Sequence, residues 1–141
     1  MYILTPFGSL ERYAEGPGAD VWRTPDAART WDEAICRVEA KKRVAQAAQL
    51  NARLARLAAT GQLRSPDMMN AEGEGIYAVK TTGGLRAYGW FGQVCGKRAF
   101  VISHVILKKR QKLDPGDRIR ATRCRDQVAA ALKASNIETR G

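Results

Sequence analysis

Apolar positions along the chain follow two different periods. Between Thr24 and Ala59, the residues Val44, Ala47, Leu50, Leu54 and Leu57 recur at spacings of three and four, whereas Lys41, Lys42, Arg43, Arg53 and Arg56 fall largely off that line. Such spacing places the apolar set on one stripe of a helix. Thr24-Pro25-Asp26 supplies an N-cap, a proline at the first helical position and an acid at the positive end of the helix dipole. Gly61 suits the left-handed residue that closes a helix. One long helix or two with a break near Cys36 both satisfy the pattern, and two antiparallel helices make the more compact unit.

After the polar stretch Gln62 to Gly75, short β-type runs replace the helical spacing. Ile76 to Lys80, Leu85 to Phe91 and Lys97 to Leu107 read as strands, joined by turns at Thr81 to Gly84 and Gly92 to Gly96. In the third, Phe100, Ile102, His104 and Ile106 alternate with Val101, Ser103, Val105 and Leu107, so both faces are apolar and the strand belongs at the centre of a sheet. Asp114-Pro115 starts a closing helix with Ala121, Cys124, Val128 and Ala131 as its packing stripe. Ahead of Thr24, glycines and prolines interrupt Tyr2-Ile3-Leu4 and Val21-Trp22; Ala19 to Arg23 is predicted to add a strand because a helix start follows it directly. The predicted architecture is α+β, with N-terminal helices packed on one face of an antiparallel sheet, a C-terminal helix, and the other face left available. Residues 1–18 are read as an N-terminal extension, 19–134 as one domain and 135–141 as a flexible tail.

Composition changes this picture in one respect. The 141 residues suffice for one modest core, but 24 Lys and Arg against 14 Asp and Glu give a net charge of +10, which calls for a polyanionic partner. The excess is local. Ile76 to Lys112 holds Lys80, Arg86, Lys97, Arg98, Lys108, Lys109, Arg110 and Lys112 without a single Asp or Glu, the footprint of phosphate binding rather than of an evenly solvated surface. Arg86, Tyr88 and Trp90 alternate onto one strand face, setting a guanidinium beside two rings able to stack on bases; cross-strand packing is the plainer role for those rings.

Other chemistry is thinly represented. Cys36, Cys95 and Cys124 form no C-x-x-C pair, and His104 is the only histidine, so no metal or cofactor is expected. His104 is also the only side chain whose ordinary pKa lies near neutrality, which suits a base, although a histidine in an apolar strand is more often structural. Gly92 to Lys97 is one residue short of a phosphate-binding loop and lacks the following Ser or Thr. The N-terminus carries no leader pattern and no run approaches the ~18 apolar residues of a membrane span, so a cytoplasmic protein is expected.

Several segments in order are similar to one known family. Arg64-Ser65-Pro66-Asp67, Gly75-Ile76-Tyr77-Ala78-Val79-Lys80, Leu85-Arg86-Ala87-Tyr88 and His104 through Lys112 with Pro115 resemble the RelE/HigB toxins, nearest to their phage-derived HigB branch. The resemblance implies a type II toxin-antitoxin toxin, a metal-independent endoribonuclease that cuts mRNA on the ribosome, inhibits translation, and is neutralised by a helix-turn-helix antitoxin. By position it implies catalytic roles for Arg86, Lys80, His104 and Lys108, and RNA contacts from Tyr88, Trp90, Arg98, Lys109, Arg110 and Lys112. Ala78 stands where some members carry a second basic residue, and Val105 replaces the motif glycine. Two alternatives remain: a relative that binds RNA or the ribosome without cutting, and a gyrase-targeting toxin on the same fold.

Overall fold

Thr24 caps the first helix as its position predicts, its Oγ1 accepting from the Ala27 amide at 3.0 Å with Pro25 at the helix start. The computed structural model describes residues 1–108 and 115–135. In chain order these form β1 (Tyr2–Thr5), β2 (Gly8–Ala14), β3 (Asp20–Arg23), α1 (Pro25–Arg37), a 3-10 turn (Ala40–Lys42), α2 (Arg43–Thr60), β4 (Met69–Gly73), β5 (Ile76–Lys80), β6 (Leu85–Val94), β7 (Lys97–Leu107) and α3 (Pro115–Ala134). The helical region is thus two helices. At the break, the Arg43 guanidinium donates to the carbonyls of Ile35, Cys36 and Val38 at 3.1, 2.9 and 3.1 Å. These carbonyls lie where the amide partners of α1 run out, Ile35 O also accepting from the Val38 amide at 3.1 Å, so one arginine closes the first helix while opening the second. Gly61 ends α2 at φ +79°, the left-handed turn its position predicts.

The strands form one seven-stranded sheet in the order β1-β2-β3-β7-β6-β5-β4. All neighbours are antiparallel except β3 and β7, which are parallel, so the sheet is mixed rather than antiparallel as expected. β7 is central, in keeping with its two apolar faces. Residues 1–18, read from the sequence as an extension, instead supply β1 and β2, and Leu10 is wholly buried in the core. β4 was not anticipated either. As an edge strand of Met69-Asn70-Ala71-Glu72-Gly73 with one side open, it has little apolar alternation to display.

The pairing of β6 with β7 slips between Tyr88 and Gly89, leaving Ser103 as an extra residue on β7. A bulge of this kind reverses the inward and outward sense of the residues beyond it. Phe100 and Ile102 therefore share their core with Val105 and Leu107, while Val101 shares the opposite one with Ile106, correcting the simple alternation expected for this strand.

Helices cover both faces. α1 and α2 pack Trp31, Leu50, Leu54 and Leu57 onto Val21, Phe100 and Ile102. On the other face, α3 lays Ala121, Val128 and Leu132 over Trp22, Ile76, Tyr88, Trp90 and Val101. No open face remains on the meander, contrary to expectation, because its second face is as apolar as its first and needs a cover.

Candidate phosphate-binding site

Lys80 ends β5 directly opposite Arg86 on β6, so the two side chains leave the same face of the sheet. The turn between these strands is fastened to α2: Gln46 Oε1 accepts from the Gly83 amide at 2.8 Å and Gln49 Oε1 from the Thr82 amide at 2.6 Å. Arg53 donates to the Lys80 carbonyl. At the end of β7, the Lys108 amide donates to the Gly84 carbonyl at 2.8 Å, which brings a fourth cationic side chain to the same turn. Lys80, Arg86, Lys108 and Arg53 together line a cavity of about 900 Å³, with Pro66, Asp67 and the turn residues completing its wall.

Arg86 is the unusual member. Its residue is only 8% exposed, yet its Nε has no hydrogen-bond partner. An unsatisfied buried donor costs roughly 1–3 kcal/mol, more when charged, so the fold holds Arg86 in the cavity wall at a cost to its stability. The Asn70 amide, turned so that its nitrogen donates to Pro66 O at 3.2 Å, accepts from Lys80 Nζ at 3.2 Å and steadies that ammonium. Burial lowers the pKa of Arg53, and the Asp67 carboxylate pulls it the other way. Asp67 is the one carboxylate among the described residues of the wall, and it pairs with Arg64 at 3.4 Å. Sequence reasoning gave no role to Arg53 or Asp67; the first lies off the apolar stripe of α2 and the second inside the Arg64-Ser65-Pro66-Asp67 segment.

Other expected site residues lie elsewhere. His104 is wholly buried and does not line the cavity. Its Nε2 lies 2.9 Å from Asp117 Oδ1, its Nδ1 2.8 Å from Ser103 Oγ, and its ring stacks on Tyr88 at 5.1 Å and 14°. Held between Asp117 and Ser103, the ring joins the base of α3 to the bulge of β7. Tyr88 and Trp90 are 3% and 5% exposed beneath α3, which removes them as stacking platforms for bases. Arg98 sits at the far end of the β6–β7 hairpin, about 25 Å along the strand from the Arg86 pairing position. There its guanidinium lies 4.4 Å from the Phe91 ring centroid and donates to Gly61 O at 2.7 Å, a packing role. Lys97 is likewise engaged, 2.6 Å from the buried Asp20. Lys109, Arg110 and Lys112, with the expected cap Asp114, lie outside the described residues.

Among the described residues no group of three or more His, Cys, Asp or Glu is placed to hold a metal ion, and no helix is long and apolar enough to cross a membrane. Comparison with family models, curated proteins and solved structures gave no match.

Proposed function

We propose that this chain binds RNA at the Arg86 cavity and cuts it without a metal or cofactor, as the ribosome-dependent mRNA endoribonuclease of a type II toxin-antitoxin pair. One observation carries the reading: Lys80, Arg86, Lys108 and Arg53 converge on a single cavity whose described lining residues include one carboxylate, Asp67. The toxin role rests on the RelE/HigB resemblance of the sequence segments alone. A helix-turn-helix antitoxin would neutralise the chain by covering the cationic cavity.

The chemistry needs a proton acceptor beside the phosphate. With His104 enclosed, the Asp67 carboxylate takes this part, as the one carboxylate among the described residues of the cavity wall. Asp67 accepts the proton of the ribose 2′-hydroxyl, and the 2′-oxygen forms a bond to phosphorus as the bond to the 5′-oxygen breaks. That oxygen takes a proton from a cavity ammonium, leaving a 2′,3′-cyclic phosphate and a free 5′-hydroxyl. Arg86 and Lys80 stabilise the added negative charge of the pentacoordinate state.

A second reading, RNA or ribosome binding without cleavage, is favoured by the enclosure of the sole imidazole. The gyrase-targeting alternative places no demand on a phosphate cavity. Purified protein added to programmed ribosomes, with mapping of new mRNA 5′ ends, separates the three. Cleavage is expected, reduced at least about 100-fold by Arg86→Ala and by Asp67→Asn. Binding that persists without new ends supports the second reading, and DNA damage without RNA fragments the third.

A further inference from the structure

A second concavity lies at the same end of the sheet. It runs between the first turns of α1 and α3 beneath the tip of the β1–β2 hairpin and measures about 710 Å³. Phe7, Pro25 and Ile119 give it apolar walls, and Arg29, Arg120 and Arg123 give it charge. Asp26 is its only carboxylate among the described residues and is held by both Arg29 and Arg120. Glu33, outside the groove, also pairs with Arg29 at 3.4 Å, so three guanidiniums against these two carboxylates leave a surplus of one positive charge. Each guanidinium has five N–H donors, so the two that grip Asp26 keep donors for a ligand while being fixed in place. Arg123 is exposed and has no ion pair among the described residues.

Gly116, Ile119 and Arg120 of α3 line the groove, whereas Lys108 at the end of β7 lines the Arg86 cavity, and His104 of the same strand meets Asp117 in the first turn of α3. β6, which carries Arg86, and β3, which leads into the groove at Thr24, are two strand steps apart across β7, about 10 Å between strand axes. We infer that this groove binds the single-stranded RNA flanking the cavity, seating a base against Phe7 and a phosphate on Arg123 and Arg120. An acidic peptide would match the charge, but it would not account for a second cationic site so close to the first. The inference rests on the RNA reading of the Arg86 cavity.

The test is fluorescence anisotropy of the full chain with labelled single-stranded RNA of three and of twelve nucleotides. The combined change Phe7→Ala and Arg123→Ala is expected to weaken the twelve-nucleotide RNA by roughly 10- to 100-fold and to flatten its salt dependence by about 0.7 for each phosphate no longer neutralised, with the three-nucleotide RNA unaffected. Arg86→Ala weakens both. Arg123→Glu, a single exposed change, reports the same length-dependent loss should the double variant fold poorly. If the groove variants bind twelve nucleotides as the unaltered chain does while Arg86→Ala does not, the groove inference falls and the cavity reading stands. If the unaltered chain binds neither RNA, both fall. If the groove variants lose only a poly-glutamate peptide, the occupant is a peptide and the inference is overturned.

Discussion

Arg86 and His104 show why the same strand reading succeeds for one residue and fails for another. Arg86 reaches the cavity because β-sheet register alone sets it opposite Lys80, and register follows from two short strands and their turn. His104, Tyr88 and Trp90 depend on what lies above the sheet, and no local pattern states that α3 folds back over them. Arg86 also carries a stability cost that its proposed role explains. Replacing it by Met keeps similar volume and removes an unsatisfied buried charge, so Arg86→Met is expected to raise folding stability by about 1 kcal/mol while RNA binding is lost. Urea unfolding measures the first effect; an unchanged or lower midpoint with intact slope contradicts it.

At the scale of elements, helix ends and the hairpin-joined strands β5 to β7 were legible, and strand partners far apart in the chain were not. Thr24, Pro25 and Gly61 act through bonds and dihedral angles within a few residues of themselves, so their signals survive in the sequence. The slip at Ser103 arises from pairing with β6 and from the bond that Thr24 Oγ1 gives the Ser103 carbonyl at 2.8 Å, 79 residues apart, which no window of sequence contains. Asp26 ties two elements that the sequence leaves unconnected, joining Arg29 in α1 to Arg120 in α3. Burial alone would raise its pKa, but the hydrogen bonds and charges of those arginines outweigh burial and hold it below its ordinary value. A lowered carboxyl pKa contributes stability that is complete above the unfolded value of about 4 and disappears as pH falls through the folded value. Below about pH 4, the unaltered chain is therefore expected to lose stability more steeply than Asp26→Asn; acid titrations of thermal midpoints compare them, and parallel curves would exclude the linkage.

Across the whole molecule, the first 23 residues belong to the fold because their loops meet α2 at backbone distance. The amides of Gly18 and Ala19 both donate to Ala58 O, at 2.8 and 3.1 Å, and a Cβ on Gly18 would overlap the Gly61 amide nitrogen. Gly18→Val should thus cost about 1–3 kcal/mol, read as a lowered melting midpoint, whereas the same change in a detached extension would cost nothing. The α+β class and the central place of β7 were readable from polarity; the two-sided helical cover and the mixed sheet were not, since both are set by partners far along the chain. Parallel pairing of β3 with β7 has a temporal consequence. During synthesis, Asp20 to Arg23 must wait about eighty residues for Ala99 to Ile102 to emerge, so the sheet cannot close before β7 has left the ribosome. Lys108 and α3 arrive later still, so the cavity shared by Lys80, Arg86 and Lys108 cannot assemble before its scaffold has emerged.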